Sequence, residues 1–169
     1  MKKIASLSIL LCAFTAANAF AAEKEDDRNP IGCRDVGYQF DLKTLQLLPH
    51  NAGAGQSMYF IYNSSPQTVT LYQMRGEDSS RSMYLNHAIG GKQWAVLSTS
   101  ERKMKYICAT PDSKSRYGKI TDCSEMLRVC EYINVKYGLN NRGNYWLVNS
   151  NTKNGAIREV VHYGIIPGV

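Results

Sequence analysis

The chain has 169 residues, with 20 lysines and arginines against 14 aspartates and glutamates, and a formal net charge of +6 at neutral pH. These charges are spread along the sequence, which excludes the clustered basic patch typical of nucleic-acid-binding proteins. Eleven tyrosines and two tryptophans, with many valines, isoleucines and threonines, favour β-sheet.

Residues 1–19 predict a signal peptide. Lys2 and Lys3 give a positive start, the apolar stretch 4–15 is too short to span a bilayer comfortably, and small residues follow at 17–19. Cleavage after residue 21 is a second candidate. A membrane anchor or buried helix is disfavoured because an acidic, polar stretch comes next. We therefore expect an exported protein with no transmembrane segment in the mature chain.

The mature chain is predicted to form one domain. Cleavage lowers the net charge from +6 to +4, because Lys2 and Lys3 leave with the signal peptide. Roughly 148 to 150 residues remain, which suits a single domain with a sizeable core. We expect a flexible acidic arm over residues 20–32 and a single β-sandwich domain over 33–169.

The cysteines of the mature chain predict two disulfides. Cys12 leaves with the signal peptide, and an even number remains: Cys33, Cys108, Cys123 and Cys130. An oxidising compartment favours their pairing, and four cysteines allow three connectivities. We favour Cys108–Cys123, which would close a polar loop, together with Cys33–Cys130, which would tie the N-terminal arm to the core.

Short extended runs separated by turn residues predict an antiparallel β-sandwich or barrel, of which we favour the sandwich. The run 57–63 is apolar at both parities, as expected for a strand buried on both faces. The stretch 110–122 is predicted to be a long polar connection. Further strands are predicted at 68–74, 82–89, 93–99 and 103–109.

The last third of the chain mixes helical and extended patterns. Residues 122–126 carry an Asp-x-x-Glu signal for a short helical turn, and a strand is expected from there to about Tyr137. A turn at 138–144 is then predicted to join this strand to a second one as a hairpin. Residues 152–164 predict one short helix that Gly164 ends. The predicted fold is therefore mainly β, with a short C-terminal helix.

Catalytic and metal-binding patterns are missing from the sequence. No spacing pairs two carboxylates, and no G-x-S-x-G, H-E-x-x-H or phosphate-binding glycine loop occurs. There is no C-x-x-C pair, and the three histidines are scattered, so neither a metal nor a cofactor is predicted. His87 is expected to be a satisfied core histidine, and His162 to lie in the last helical turn. We lean against an enzyme.

The run NNRGNYW at 140–146 is the most distinctive stretch. One interpretation is a recognition loop that displays polar side chains beside two aromatic residues. The other is a tight turn followed by core aromatics. The candidate binding residues are Asn140, Asn141, Arg142 and Asn144.

Five segments carry a family resemblance: YNSSPQTVTLYQM, QWAVLS, YICA…DCSEMLRVCEYINVKYG, NRGNYWLV and YGIIP. In this order they resemble the enhanced-entry B proteins of Legionella-type intracellular bacteria, over nearly the whole mature chain. The resemblance implies a small exported virulence protein with a genetic link to host-cell entry. It implies no enzymatic activity and no catalytic residue that can be transferred to this sequence.

Together these features predict a periplasmic or secreted binding protein. Its expected partner is another envelope protein or a host surface component. Two alternatives stay open: a periplasmic enzyme acting on cell-wall material, with carboxylates gathered by the fold, and a secreted effector acting on the host.

Overall fold

The computed structural model describes residues 28–50, 57–74, 83–135 and 144–165. The predicted signal peptide, most of the predicted acidic arm and the turn before residue 144 lie outside these ranges. Within them the strands are β1 (Cys33–Arg34), β2 (Tyr38–Asp41), β3 (Thr44–Leu47), β4 (Ser57–Asn63), β5 (Val69–Met74), β6 (Met83–Ile89), β7 (Trp94–Thr99), β8 (Met104–Asp112), β9 (Ser115–Thr121), β10 (Leu127–Tyr132) and β11 (Asn144–Ser150). The helices are α1 (Cys123–Met126) and α2 (Lys153–His162).

Two antiparallel sheets form a sandwich, as predicted. The first sheet has the strand order β1-β10-β4-β7-β11, and the second has the order β2-β3-β8-β5-β6. β9 also belongs to the second sheet, where it pairs with the last half of β8 while β3 pairs with the first half. The edge strands β11 and β6 therefore belong to different sheets.

The main core lies between the sheets. It takes Tyr59, Ile61 and Leu97 from the first sheet and Leu45 and Leu71 from the second, all of them fully buried. These residues alternate along their strands with side chains that point to the opposite face of each sheet, as strand geometry requires.

A second core covers the outer face of the first sheet. Phe60, Trp94 and Val96 lie there, packed against Ala156 and Val160 of α2. Strand β4 is consequently buried at every position. The prediction that the run 57–63 is buried on both faces is confirmed.

Helix α2 has the start and end signals that the sequence predicts. The Thr152 hydroxyl oxygen accepts a hydrogen bond from the backbone N–H of Gly155 at 3.0 Å, which caps the N-terminus. Gly164, with φ +69°, follows the last turn, and His162 is the last helical residue. No helix within the described ranges is long and apolar enough to cross a membrane.

Both favoured disulfides are present. Cys33 is bonded to Cys130 over a sequence separation of 97, and Cys108 is bonded to Cys123 over a separation of 15. The first bond joins β1 to β10 in the first sheet, and the second closes the base of the β8–β9 hairpin.

The predicted polar connection over 110–122 is wrong. Strand β8 continues to Asp112, and β9 returns along it as a hairpin. Each residue of β9 is exposed or only half-buried, so the strand needs no apolar face and its sequence looks like a loop. Strands β1 to β3 were not predicted, and β10 ends at Tyr132 instead of continuing to about Tyr137. The predicted hairpin across 138–144 is also wrong, because β10 pairs with β1 and β4 whereas β11 pairs with β7.

Candidate interaction site

The sequence-predicted loop is only partly described. Asn140, Asn141 and Arg142 lie outside the described residues. Asn144 begins β11, and its side chain joins the two sheets: Oδ1 accepts a hydrogen bond from the Thr99 hydroxyl at 2.6 Å, and Nδ2 donates to Gln73 Oε1 at 2.9 Å. The amide of Asn144 is therefore engaged within the sandwich, and the predicted recognition loop stays a prediction.

The tryptophan of the same run fills the gap between the two sheet edges. The indole of Trp146 stacks on the imidazole of His87 in β6, with ring centroids 3.9 Å apart and planes within 4°. Its edge meets Tyr106, at 6.3 Å between centroids. Trp146 is half-buried and packs against the main core, whereas Tyr145 is 37% exposed, so only one of the two aromatic residues lies against the core.

One ring nitrogen of His87 has a hydrogen-bond partner. Its Nε2 lies 2.8 Å from Oδ1 of Asn149, whose Nδ2 donates to the carbonyl of Ala88 at 2.9 Å. Burial lowers the pKa of His87, and the hydrogen bond to Asn149 offsets part of that shift. The ring is therefore a neutral stacking partner at neutral pH, in agreement with the prediction of a satisfied core histidine.

One carboxylate among the described residues is fully buried. Oε1 of Glu131 accepts a hydrogen bond from the backbone N–H of His50 at 3.0 Å, while Oε2 is buried without a hydrogen-bond partner. A Cβ at Gly37 would lie 2.0 Å from Oε2, so the backbone of residue 37 seals the group from solvent. Burial raises the pKa of the neighbouring Tyr59, and the charge of Glu131 adds to the increase.

A polar cleft of about 430 Å³ lies between β11 and the start of α2. Several of its polar groups are already engaged, because Asn151 Oδ1 accepts a hydrogen bond from Gln93 at 2.6 Å and Thr152 caps the helix. Arg158 and Glu159 complete the lining. No cluster of three or more His, Cys, Asp or Glu side chains suited to a metal ion occurs in the described part of the chain.

The outer face of the second sheet is open and partly aromatic. Leu71 and Cys108 are paired and face the core, so their paired neighbours Tyr72 and Ile107 face outward. Both are only half-buried. Tyr117 of β9 meets Tyr72 edge to face, with ring centroids 6.3 Å apart.

The β8–β9 hairpin extends this face with two exposed apolar side chains. Tyr117 is 55% exposed and Ile120 is 57% exposed, far more than the residues of the two cores. Among the described residues they belong to a small set of large exposed hydrophobic side chains. We call the hairpin from Cys108 to Cys123, together with Tyr72 and Ile107, the hairpin face.

Several local contacts hold the hairpin in one conformation. The Cys108–Cys123 bond closes its base. At its tip the Asp112 carboxylate accepts a hydrogen bond from the N–H of Lys114 at 2.9 Å, which is an Asx turn. Gly118 has φ +79°, and a Cβ there would lie 2.3 Å from the Thr110 carbonyl oxygen, so only glycine fits this close approach.

The hairpin also carries positive charge. Between Cys108 and Cys123 there are three cations, Lys114, Arg116 and Lys119, and two carboxylates, Asp112 and Asp122. None of the three cations makes an ion pair within the described ranges. An apolar centre beside unpaired cations is therefore presented on a rigid hairpin.

This site was missed because the sequence gives only weak signals for it. The run SRYGKIT lacks a buried side and therefore lacks clear alternation. A usable signal was the short spacing of Cys108 and Cys123, which permits a disulfide between the two arms of a hairpin as readily as across a loop.

Comparison with protein-family models, with curated proteins and with solved structures finds no match to this chain. The resemblance to the enhanced-entry B proteins therefore rests on the sequence segments alone.

Proposed function

We propose that this protein is an exported binding protein that recognises a protein partner through the hairpin face. The observation that carries the proposal is the pair of exposed side chains, Tyr117 and Ile120, on a hairpin closed by the Cys108–Cys123 bond. Tyrosine and other aromatic residues are enriched in the buried centres of interfaces, while charged residues favour the rim. The hairpin face has this arrangement.

The rigidity of the hairpin supports the proposal. Association costs free energy for every side chain and loop that must be ordered. In the hairpin the disulfide, the Asx turn and Gly118 fix the backbone before any partner arrives. A preorganised surface loses less entropy on binding than a mobile loop with the same side chains.

The two disulfides support a location outside the cytoplasm. Such bonds form and persist in oxidising compartments and are rare in the cytosol. Combined with the predicted signal peptide, this supports a periplasmic or secreted protein. The resemblance to enhanced-entry B proteins adds the proposal that the partner is an envelope protein or a host surface component linked to host-cell entry.

The alternative function, a periplasmic enzyme that acts on cell-wall material, has less support. A hydrolytic site would need two carboxylates that converge on one accessible cleft. Glu131, the buried carboxylate of the described residues, lies against the backbone of Gly37 and accepts a hydrogen bond from the backbone of His50. These contacts favour a structural role for Glu131.

The test is crosslinking of the tagged mature protein in its own cell envelope, followed by identification of the crosslinked protein. The variant to compare is Tyr117→Ala with Ile120→Ala. A matched control is Tyr163→Ala with Ile31→Ala, which removes the same two residue types at sites that are also exposed, 49% and 88%. Thermal unfolding of each variant checks that the fold is intact.

We expect wild type and the matched control to capture the same protein, and the hairpin variant to lose it. Equal capture by all three would contradict the proposal. A third variant, Asn140→Ala with Asn141→Ala and Arg142→Ala, tests the sequence-predicted loop; Asn144 is left in place because its amide joins the two sheets.

A further inference from the structure

Strand β9 has an open edge. Within the described residues it pairs only with β8, and β3 occupies the other half of that side of β8. Its seven residues, Ser115–Thr121, are long enough for a normal strand pairing. The side of β9 that faces away from β8 therefore presents backbone N–H and C=O groups that could pair with one more strand.

The charges on β9 select which strand could pair there. Arg116 and Lys119 lie on β9 itself, and Lys114 lies at the tip of the hairpin. Pairing with β9 of a second copy would bring Arg116 and Lys119 of both copies into one pair of strands, where their like charges repel one another. An acidic strand would place carboxylates beside the same cations and would be attracted to them.

Two apolar side chains would meet such a strand. Tyr117 and Ile120 are each more than half exposed and lie on the strand that offers the open edge. Side chains of an added strand that point to the same face would pack against them, as in other cross-strand pairs. Backbone pairing would supply binding, and the cations together with these two side chains would supply selectivity.

We propose that β9 binds an extended acidic segment of a partner polypeptide as an additional strand of the second sheet. This inference rests on the proposed function, because it names the chemistry of the partner that the hairpin face recognises. A second copy of β9 is disfavoured as the occupant by like-charge repulsion. The acidic stretch Glu23–Asp27 of this chain has the same chemistry and is treated as a separate outcome of the test.

The experiment follows amide hydrogen exchange of the isotope-labelled mature protein by NMR, with and without a synthetic peptide. The probe is a peptide of about eight residues that alternates valine or threonine with glutamate, a length typical of strands. Two control peptides accompany it. One carries lysine in place of glutamate, and the other keeps glutamate but has alternate backbone nitrogens methylated along one edge.

We expect the acidic peptide to slow exchange of the β9 amides that face away from β8 by about tenfold or more, as new hydrogen bonds do. The lysine peptide should not bind. The N-methylated peptide should bind at least about tenfold more weakly, because it cannot donate along the paired edge. Binding should also weaken as salt is added.

Matched protein variants test the role of charge. Arg116→Glu with Lys119→Glu should weaken binding of the acidic peptide by about tenfold or more, through reversed attraction. Arg102→Glu with Lys103→Glu makes the same change of charge at two exposed residues before β8 and should leave binding unchanged. An equal loss of peptide binding in both double variants would show that the charges of β9 do not select the acidic peptide.

Two results would overturn strand addition. One is unchanged exchange of the β9 amides in the presence of the acidic peptide, and the other is equal binding of the N-methylated peptide. Protection of β9 in the free protein that disappears when Glu23, Glu25, Asp26 and Asp27 are changed to serine would assign the edge to this chain's own arm and also overturn the proposal. None of these three results concerns the capture of a protein through Tyr117 and Ile120, so the proposed function is tested separately by the crosslinking experiment.

Discussion

The outer faces of the two sheets differ in what covers them. Helix α2 lies over the first sheet, where Phe60 and Trp94 are fully buried, so its central strands have two buried faces. The second sheet has one face in the core, while Tyr72 and Ile107 on its other face are only half-buried. The difference separates two roles: the first sheet supplies stability, and the second offers surface.

The burial of successive residues along the strands shows the same difference between the two sheets. Every residue of β4 and of β7 is buried. Along β5 and the first half of β8, buried and half-buried residues alternate. A strand with one solvent-facing side can exchange its outward residues with little effect on folding, which is the freedom that a binding surface needs.

The largest expected effect concerns the two disulfides. Replacing Cys33 and Cys130 by serine should cost about 4.7 kcal/mol of unfolding free energy, because the bond restricts a loop of about 100 residues in the unfolded chain. Replacing Cys108 and Cys123 should cost about 3 kcal/mol, because that loop is short. Urea unfolding of both double variants measures the difference. A larger loss from the hairpin disulfide would reverse the proposed division between the sheets.

The next largest difference is expected between an aromatic residue buried under α2 and one exposed on the hairpin face. Phe60→Ala should lower the unfolding free energy by about 3–5 kcal/mol, because it leaves a cavity under α2. Tyr117→Ala should lower it by less than about 1 kcal/mol, because the ring is more than half exposed and meets only Tyr72 among the described aromatic contacts. Thermal and urea unfolding measure both values. Similar losses would show that the hairpin face is structural.

A third prediction concerns Gly37, whose backbone covers the buried carboxylate of Glu131 in the first sheet. Gly37→Ala should cost about 2–3 kcal/mol, because φ is +73° and the new Cβ would lie 2.0 Å from Glu131 Oε2. Adding Glu131→Ala removes the clash. The double variant should therefore be less destabilised than the sum of the single variants by at least about 1 kcal/mol. Simple additivity in a double-mutant cycle would argue against this contact.

The smallest expected effect is the pH dependence from His87, at the edge where the two sheets meet. Burial lowers its pKa in the folded protein, so the unfolded state binds more protons between that lowered pKa and the ordinary value of about 6.5. Unfolding free energy should therefore rise with pH through this window and level off below it, where His87 is protonated in both states. The change should be small because part of the ring is exposed to solvent.

His87→Gln should flatten that slope. His162→Gln makes the same substitution at an exposed histidine on α2 and serves as the control. Unfolding by urea at a series of pH values between about 5 and 8 gives the comparison. An unchanged slope in the His87 variant would show that other groups set the acid sensitivity.

The sequence predicted the elements that have a clear apolar pattern or clear local signals. The run 57–63 is apolar at both parities because α2 covers one face and the second sheet the other. Helix α2 was predictable because Thr152 and Gly164 are local start and end signals. An even number of cysteines predicted two disulfides but left three connectivities open, and the favoured pairing is the one that the structure contains.

The rest depended on contacts between distant parts of the chain. Glu131 interrupts an otherwise apolar strand face, and its acceptor role needs the backbone of His50, 81 residues away in sequence. Asn144 was predicted to face a partner, but its hydrogen-bond partners lie on β7 and β5. Strand β9 has no buried side at all, so periodicity could not reveal it.

The nested arrangement of the disulfides has a consequence for synthesis and transport. The Cys108–Cys123 pair lies inside the interval that Cys33–Cys130 spans. A chain that emerges N-terminus first presents Cys33 and then Cys108 to an oxidant, and pairing in order of emergence joins these two. Reaching the native pairing then requires either that Cys33 stay reduced until Cys130 has emerged, or that thiol–disulfide exchange reshuffle the first bond. Correct pairing therefore depends on which of these two routes the chain follows, and not on oxidation alone.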